Sequence, residues 1–441
     1  MLNDKKDISF DDLSNFNTDL ENTPAATPLA RAVQENGVTK ASHNYAAKRD
    51  LNRVFSLELD TGAVTAQKKS GRCWLFATLN TLRHKFAQKY NVKDFQFSQN
   101  YISFFDRLEK ANHYLEEIIK LADRPADDRE LLELLHWNDN DGGQWANAAA
   151  LINKYGLVPQ SEMPETFASD QTADLNTSLN LKLSKDAMTL REMRANGESE
   201  EQLRNYKKQA LSDIYRMLVY AFGKPPVKFD FEYRDDKKNY HIDQNLTPKS
   251  FYAKYVAHDF DAYVCLLDAP DHEMHQKYGL PSQDYIYNEK HIEFLNIGTQ
   301  ALKDAVIASL QDGETVWFGC DVLQDMDRDK GYLAPEFFKQ GELFNIDLEL
   351  SKKERLASRN GEVSHAMTFT GVDLVDGKPT KWKVENSWGD KVGDKGYFIM
   401  TDEWFDKYVY EVIVNKKYIS EEARKIDQQE KIDLPAWDSL Q

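Results

Sequence analysis

Gln67-Lys68-Lys69-Ser70-Gly71-Arg72-Cys73-Trp74-Leu75-Phe76-Ala77-Thr78-Leu79-Asn80-Thr81-Leu82 is the stretch on which the fold turns. Leu75, Leu79 and Leu82 recur at i, i+4 and i+7, a helical period, behind a tight loop of small residues. Cys73 therefore falls in the first turn of a helix. A thiol attacks a carbonyl well only as thiolate, and a helix N-terminus, a nearby imidazolium and partial exposure each lower its pKa. The sequence supplies the first of these. Small and cationic loop residues let a substrate backbone approach. Gln67, upstream, can place a side-chain amide beside the Cys73 backbone N–H, and together the two read as an oxyanion hole.

The base must come from elsewhere. His84 lies about three turns along the same helix, roughly 16 Å up its axis, too far for proton transfer. His365 is the better candidate. Residues 363–372 are apolar and β-prone, Asp376-Gly377-Lys378-Pro379 is turn chemistry, and 381–386 alternates with Trp382 and Val384 on one side. Folding this hairpin about its Asp-Gly turn brings His365 and Asn386 abreast to within a few positions. The Asn386 amide oxygen then accepts from one imidazole nitrogen and fixes the tautomer, leaving the other nitrogen for the thiol.

Three blocks carry a resemblance. Gln67…Ser70-Gly71-Arg72-Cys73-Trp74, Ser364-His365-Ala366-Met367-Thr368-Phe369-Thr370 and Val384-Glu385-Asn386-Ser387-Trp388-Gly389 resemble the catalytic blocks of papain-like cysteine peptidases. More narrowly, they resemble the bleomycin hydrolase and bacterial aminopeptidase C family. The order Cys, His, Asn matches. His365 follows Cys73 by about 290 residues, against about 130–150 in papain-like enzymes proper, and long insertions mark the narrower branch. The resemblance runs from about Phe55 onward. It includes Ser98-Gln99-Asn100-Tyr101, Asp141-Gly142-Gly143-Gln144-Trp145 and Leu434-Pro435-Ala436-Trp437-Asp438.

The resemblance implies an α+β papain-like cysteine peptidase fold, with a helical left domain, an antiparallel β right domain and an inserted helical arm. It implies peptide substrates, a homohexamer with active sites facing an internal cavity, and no cofactor or metal. Gly142 and Gly143 match a glycine pair lining the cleft, where bare backbone would pair with an extended substrate; alone they read as a helix-entry loop. Trp388 matches an aromatic that shields the His–Asn hydrogen bond, a role compatible with ordinary core packing. The C-terminal tail, ending at Gln441, is expected in the cleft. There it would block the side that takes residues N-terminal to the cut and so produce an aminopeptidase. Only Ser439-Leu440-Gln441 follow Asp438, fewer than in many relatives, so an oligopeptide-cleaving endopeptidase is the alternative. A catalytically silent oligomeric binding protein is the alternative from another class, and an acyltransferase a third.

Along the chain, 1–50 reads as an N-terminal arm or cap and 51–180 as the helical half with the nucleophile. Residues 181–226 read as the inserted arm, broken by Asn196-Gly197 and closed by Gly223-Lys224-Pro225-Pro226. Residues 227–420 read as the β-rich half with His365 and Asn386, and 421–441 as the tail. Helices are expected over 98–124, 145–155 and 301–311, with a buried strand over 315–322.

Composition narrows the classes. A net charge of −17 repels phosphate backbones and anionic lipid, which argues against nucleic acid or a membrane as partner. No apolar run approaches the roughly 20 residues that span a bilayer. Met1-Leu2-Asn3-Asp4-Lys5-Lys6-Asp7 is polar and has no apolar segment behind it, so a cytoplasmic protein is expected. Three scattered cysteines suit a reducing compartment, and Cys265 and Cys320 lie in apolar runs as small hydrophobes. Asp139 and Asp141 lack the spacing of a calcium loop. His272 and His275 lack that of a zinc helix.

Overall fold

The computed structural model describes residues 7–136 and 139–441. Met1 to Lys6 of the polar N-terminus, and Trp137 and Asn138 of the loop before the glycine pair, lie outside the described residues. The chain divides into two units. One comprises residues 7–52 together with Ala334–Leu350, the other Arg53–Leu333 together with Ser351–Gln441.

The first unit begins with the helix Phe10–Asn22, whose Ser9 N-cap and Asp12 close a capping box. Ala26–Asn36 follows, with Pro28 in its first turn, where no backbone donor is needed. The segment from Ala334 joins this unit through its backbone. Asn44 N–H donates to the Phe337 carbonyl at 2.8 Å and Lys339 N–H to the Ser42 carbonyl at 2.9 Å. Residues 334–350 were expected in the β-rich half. They depart from it because these pairings join positions almost 300 apart in sequence, which no local pattern signals.

The second unit has a helical half and a β half, the expected α+β arrangement. The helix Cys73–Tyr90 is buried on nearly every side, through Trp74, Leu75, Phe76, Leu79, Leu82 and Phe86. That explains its weakly amphipathic sequence. Around it lie Gln99–Lys120, capped by the Ser98 hydroxyl, and Trp145–Tyr155. The expected arm is a pair of helices, Ala173–Ala195 and Glu200–Phe222, turning at Asn196-Gly197. It does not stand apart. Leu179, Leu183, Leu190, Leu203, Ile214 and Leu218 are wholly buried in the same apolar cluster as Cys73, Phe104 and Tyr114. The charged faces are solvated, but core residues recur every third or fourth position from Leu179 to Leu190 and from Ala210 to Phe222.

In the β half, the strands Tyr263–Leu267, Val409–Asn415, Val316–Cys320, His365–Val375, Lys378–Glu385 and Tyr397–Thr401 pair in that order, all antiparallel. One sheet face packs Phe318, Phe369, Trp382 and Val412 with Leu302, Val306 and Phe405. The other presents Cys265, Trp317, Ala366 and Ile413 to the cluster that holds Cys73. The hairpin that carries His365 turns on Asp376 and Gly377 alone, at φ 50° and 78°. This two-residue primed turn matches strand twist, so Lys378 and Pro379, expected in the turn, begin the second strand.

Candidate active site

Cys73 opens its helix directly after Arg72. The amides of Ala366, Trp74 and Cys73 itself lie against the sulfur. Burial pushes the thiol pKa up, and those amides pull against it. The loop before it is locked by its own side chains. Arg72, 1% exposed, holds Glu165 at 2.9 Å, the Ser169 carbonyl at 2.7 Å and the Ser70 hydroxyl at 3.0 Å. Its charge is therefore spent on holding the loop. Asp141 fastens the loop from the other side. Its carboxylate accepts from the Gly71 N–H at 2.8 Å, and its carbonyl from Trp74 Nε1 at 2.7 Å.

His365 begins the strand whose next residue supplies one of those amides, so imidazole and sulfur adjoin the same backbone step. Its Nε2 donates to Asn386 Oδ1 at 2.9 Å. That fixes the tautomer with the lone pair on Nδ1. The register falls within the expected few positions: Thr368 opposes Glu385, Asn386 lies just beyond the strand end, and the side chains bridge the remaining offset. Asn386 Oδ1 also accepts from the Ser387 N–H at 2.7 Å. Trp388 packs over the imidazole, ring centroids 4.9 Å apart, and Arg328 stacks on the outer face of Trp388 at 4.6 Å. Burial lowers the His365 pKa to about 4, with Asn386 raising it and Arg328 lowering it further. Burial thus opposes either charge standing alone. A proton passing from sulfur to imidazole creates both charges together, beside a helix N-terminus, where their attraction offsets that cost.

Gln67 belongs to the same network. Its backbone N–H donates to the Ser387 carbonyl at 2.7 Å, and its Oε1 accepts from the Ser387 hydroxyl at 2.6 Å. Nε2 gives one hydrogen to the Ser70 carbonyl at 2.6 Å, and the amide's second hydrogen remains for a ligand. Ser387, overlooked in the sequence, is the residue that couples Gln67 to Asn386. Its only sequence signal is its place between Asn386 and Trp388.

The glycine pair divides into two roles. The Gly142 N–H donates to Asn140 Oδ1 at 2.8 Å, and its carbonyl accepts from Lys110 Nζ at 2.5 Å. The Gly142 backbone is thus committed within the protein, which does not favour the expected pairing of that residue with a substrate. A Cβ on Gly143 would lie 2.7 Å from the Trp74 ring. Gln441 accepts from the Ser282 hydroxyl at 2.8 Å, next to Gln283, whose carbonyl accepts from Asn147 at 2.9 Å. Asn147 lies in the first turn of the helix after Gly143. The tail is fastened further back by His272, whose Nδ1 meets Asp271 at 2.9 Å and Nε2 meets Asp438 at 3.1 Å. Asp271 first and Asp438 second raise the His272 pKa to about 9.

Behind Asn386 lies an ion cluster absent from the sequence reading. Glu385, 1% exposed, meets Arg83 at 2.6 Å and His84 at 3.1 Å. Burial would push its carboxyl up, but His84 and Arg83 outweigh it and hold the pKa below the ordinary value. His84, too far along its helix to serve Cys73, thus helps tie that helix to the Asn386 strand. Asp139 and Asp141 face Arg107, at 2.8 and 3.4 Å. Among the described residues, no group of three His, Cys, Asp or Glu side chains has the geometry to hold a metal.

Residues 7–441 match the Peptidase C1-like family. Aminopeptidase E of Lactobacillus helveticus is 49% identical over 435 residues, covering 98% of this chain and 99% of its own. Aminopeptidase G of Lactobacillus delbrueckii subsp. lactis is 47% identical over 434 residues, with 98% and 99% covered. The crystal structure of pepw from Lactobacillus rhamnosis HN001 superposes with a TM-score of 0.96 at 46% identity, over 99% of both chains. With match and likeness both spanning the full length, the chain belongs to the Peptidase C1-like family.

Proposed function

We propose that this protein is a cysteine aminopeptidase that removes N-terminal residues from short peptides, with Cys73 as nucleophile, His365 as base and Asn386 as the group that orients it. His365 Nδ1 takes the thiol proton, and the thiolate attacks the peptide carbonyl. The oxyanion receives the Cys73 N–H and the remaining Gln67 Nε2 hydrogen. The imidazolium returns its proton to the leaving amine, and the thioester left on sulfur is hydrolysed by water with His365 again as base. Trp388 keeps water from the His–Asn hydrogen bond. The observation that carries the reading is the His365 Nε2–Asn386 Oδ1 bond at 2.9 Å, on the strand whose Ala366 amide meets the sulfur of Cys73 at a helix start. Relatives named aminopeptidases at 49% and 47% identity support the exopeptidase reading. So does a tail fastened beside the helix that follows Gly143.

The test is a panel of free and N-acetylated peptides run with the native protein and with Cys73→Ala. Free peptides shortened from the N-terminus by the native protein alone are the expected result. Internal cleavage of acetylated peptides at comparable rates overturns the aminopeptidase reading, and activity surviving in Cys73→Ala overturns the nucleophile. Rapid alkylation of Cys73 by iodoacetamide near pH 6 is a second readout.

The homohexamer draws support from the helix Phe10–Asn22, which buries none of its residues and leaves Phe10 90% exposed. An apolar stripe of that kind is an interface signal. Sedimentation equilibrium checks it, and a monomer at micromolar concentration refutes it. A cytoplasmic location is consistent with three unpaired cysteines, and among the described residues no helix is long and apolar enough to cross a membrane. Cell fractionation tests that location.

A further inference from the structure

Arg328 takes no part in the chemistry above, yet it is held beside the base. It sits in the turn between the short strands Met326–Asp327 and Tyr332–Leu333, which pair antiparallel. That turn is pinned. The Gly331 N–H donates to the Asp327 carbonyl at 2.9 Å, the Gly393 N–H to the Asp329 carbonyl at 3.1 Å, and Arg53 Nη2 to the Lys330 carbonyl at 2.5 Å. A Cβ on Gly331 would lie 2.7 Å from Gly393 Cα, so the two loops meet backbone to backbone.

The guanidinium itself is uncommitted. It is exposed, stacks on the half-buried Trp388 ring at 4.6 Å, and among the described residues has no hydrogen bond or ion pair. Its neighbour Asp327 is engaged by Lys330, through the backbone N–H at 3.2 Å and Nζ at 3.4 Å. The other arginines of the site are spent, Arg72 on Glu165 and Arg83 on Glu385. An arginine placed by a ring but unpaired keeps its planar fork of donors for an anion of matching shape, a carboxylate above all. The chain as a whole carries a net charge of −17 and repels anionic peptide ends, and Arg328 is a local exception beside the base.

Chemistry fixes which part of a peptide comes near it. The acyl part stays bonded to sulfur, against the Ala366 amide. The departing part begins at the amine that takes its proton from His365, so it starts at the imidazole. Trp388 is the ring packed over that imidazole at 4.9 Å, and its backbone bridges to Ala66, the residue before Gln67. Two ring spacings, 4.9 and 4.6 Å, thus separate the base from the guanidinium. An extended chain advances about 3.3–3.6 Å per residue, so two or three residues beyond the cut span that gap.

We infer that Arg328 binds a carboxylate on the leaving part of the peptide, either the free C-terminus of a short peptide or an acidic side chain just beyond the cut. The inference rests on Cys73 and His365 as nucleophile and base, and holds for an exopeptidase and an endopeptidase alike.

The test compares wild type with Arg328→Gln on two sets of peptides at low salt, with products identified by mass. In the first, tripeptides and tetrapeptides are offered as free acids and as C-terminal amides. In the second, amidated peptides carry Asp or Asn at the second residue beyond the cut. If the terminus is bound, wild type prefers the acid by about tenfold or more in kcat/KM, chiefly through KM, and the variant brings that ratio near one. If a side chain is bound, the Asp-to-Asn ratio behaves in this way. Removing the Arg328 charge also raises the His365 pKa, but that acts on both members of a pair and cancels in the ratio. Ratios near one in wild type in both sets, or ratios that the variant leaves unchanged, overturn the inference. Failure of the aminopeptidase reading looks different: the same peptides are cut at internal bonds, and the two ratios are then read at those bonds. Activity retained in Cys73→Ala marks the failure of the catalytic reading, and the inference falls with it.

Discussion

Replacing Glu385 by Gln tests the coupling between the two halves of the site. Glu385 is buried with Arg83 at 2.6 Å and His84 at 3.1 Å, and the two carboxylate partners are 2% and 5% exposed. Without the carboxylate charge, the Arg83 guanidinium keeps the Ala63 carbonyl at 2.6 Å and the amide oxygen, but no counter-ion within the cluster. Breaking a buried pair from one side costs about 3–5 kcal/mol. Gln retains shape and an acceptor, so the lower end applies, about a hundredfold in the folded-to-unfolded ratio. Urea unfolding followed by tryptophan fluorescence reads this as a lower midpoint. Glu385 adjoins Asn386, so kcat falls with it while KM changes little. The double variant Arg83→Met with Glu385→Leu removes both charges and recovers most of the stability. The pH dependence has a definite sign. A carboxyl held below its ordinary pKa stabilises the fold above about 4.3, and that contribution is lost as pH falls through the folded value. Wild type and Glu385→Gln therefore converge on acidification. An unchanged midpoint in the single variant, or a double variant that loses the sum of the two singles, refutes the reasoning.

Gln67→Ala removes the proposed oxyanion donor and is expected to lower kcat by about 10²–10³ with little change in KM, read in steady-state kinetics. Gly143→Ala drives a Cβ into Trp74 and destabilises the protein by about 1–3 kcal/mol, whereas Gly142→Ala meets only Asn140 Oδ1 at 3.1 Å and leaves the thermal midpoint nearly unmoved. Differential scanning fluorimetry separates the two. Arg328 lowers the His365 pKa, so Arg328→Glu makes the imidazolium easier to form and moves the acid limb of the kcat/KM profile to higher pH. Arg328 is exposed, so the shift shrinks as salt is raised.

Local periodicity reaches a long way into this protein. Leucines at helical spacing placed Cys73 at a helix start, the Asp-Gly turn placed His365 and Asn386 on one hairpin, and Trp145–Tyr155 fell on its expected bounds. Those features follow from short-range rules of backbone and side-chain spacing, which are fully present in the chain. The helical arm misled because polar residues dominate 181–226. Sparse leucines reveal a buried face only once Gln99–Lys120 lies beside them.

The residues themselves pointed to the proposed nucleophile, base and orienting amide and determined the hairpin that carries His365 up to Asn386. Tertiary structure alone decided that Ser387 joins Gln67 to Asn386, that Arg83 meets Glu385 across 302 positions, and that Arg328 stacks on Trp388. Periodicity names the face a side chain takes but not the partner it meets. That choice belongs to burial, where each charge and hydrogen-bonding group must find its complement among residues distant in sequence.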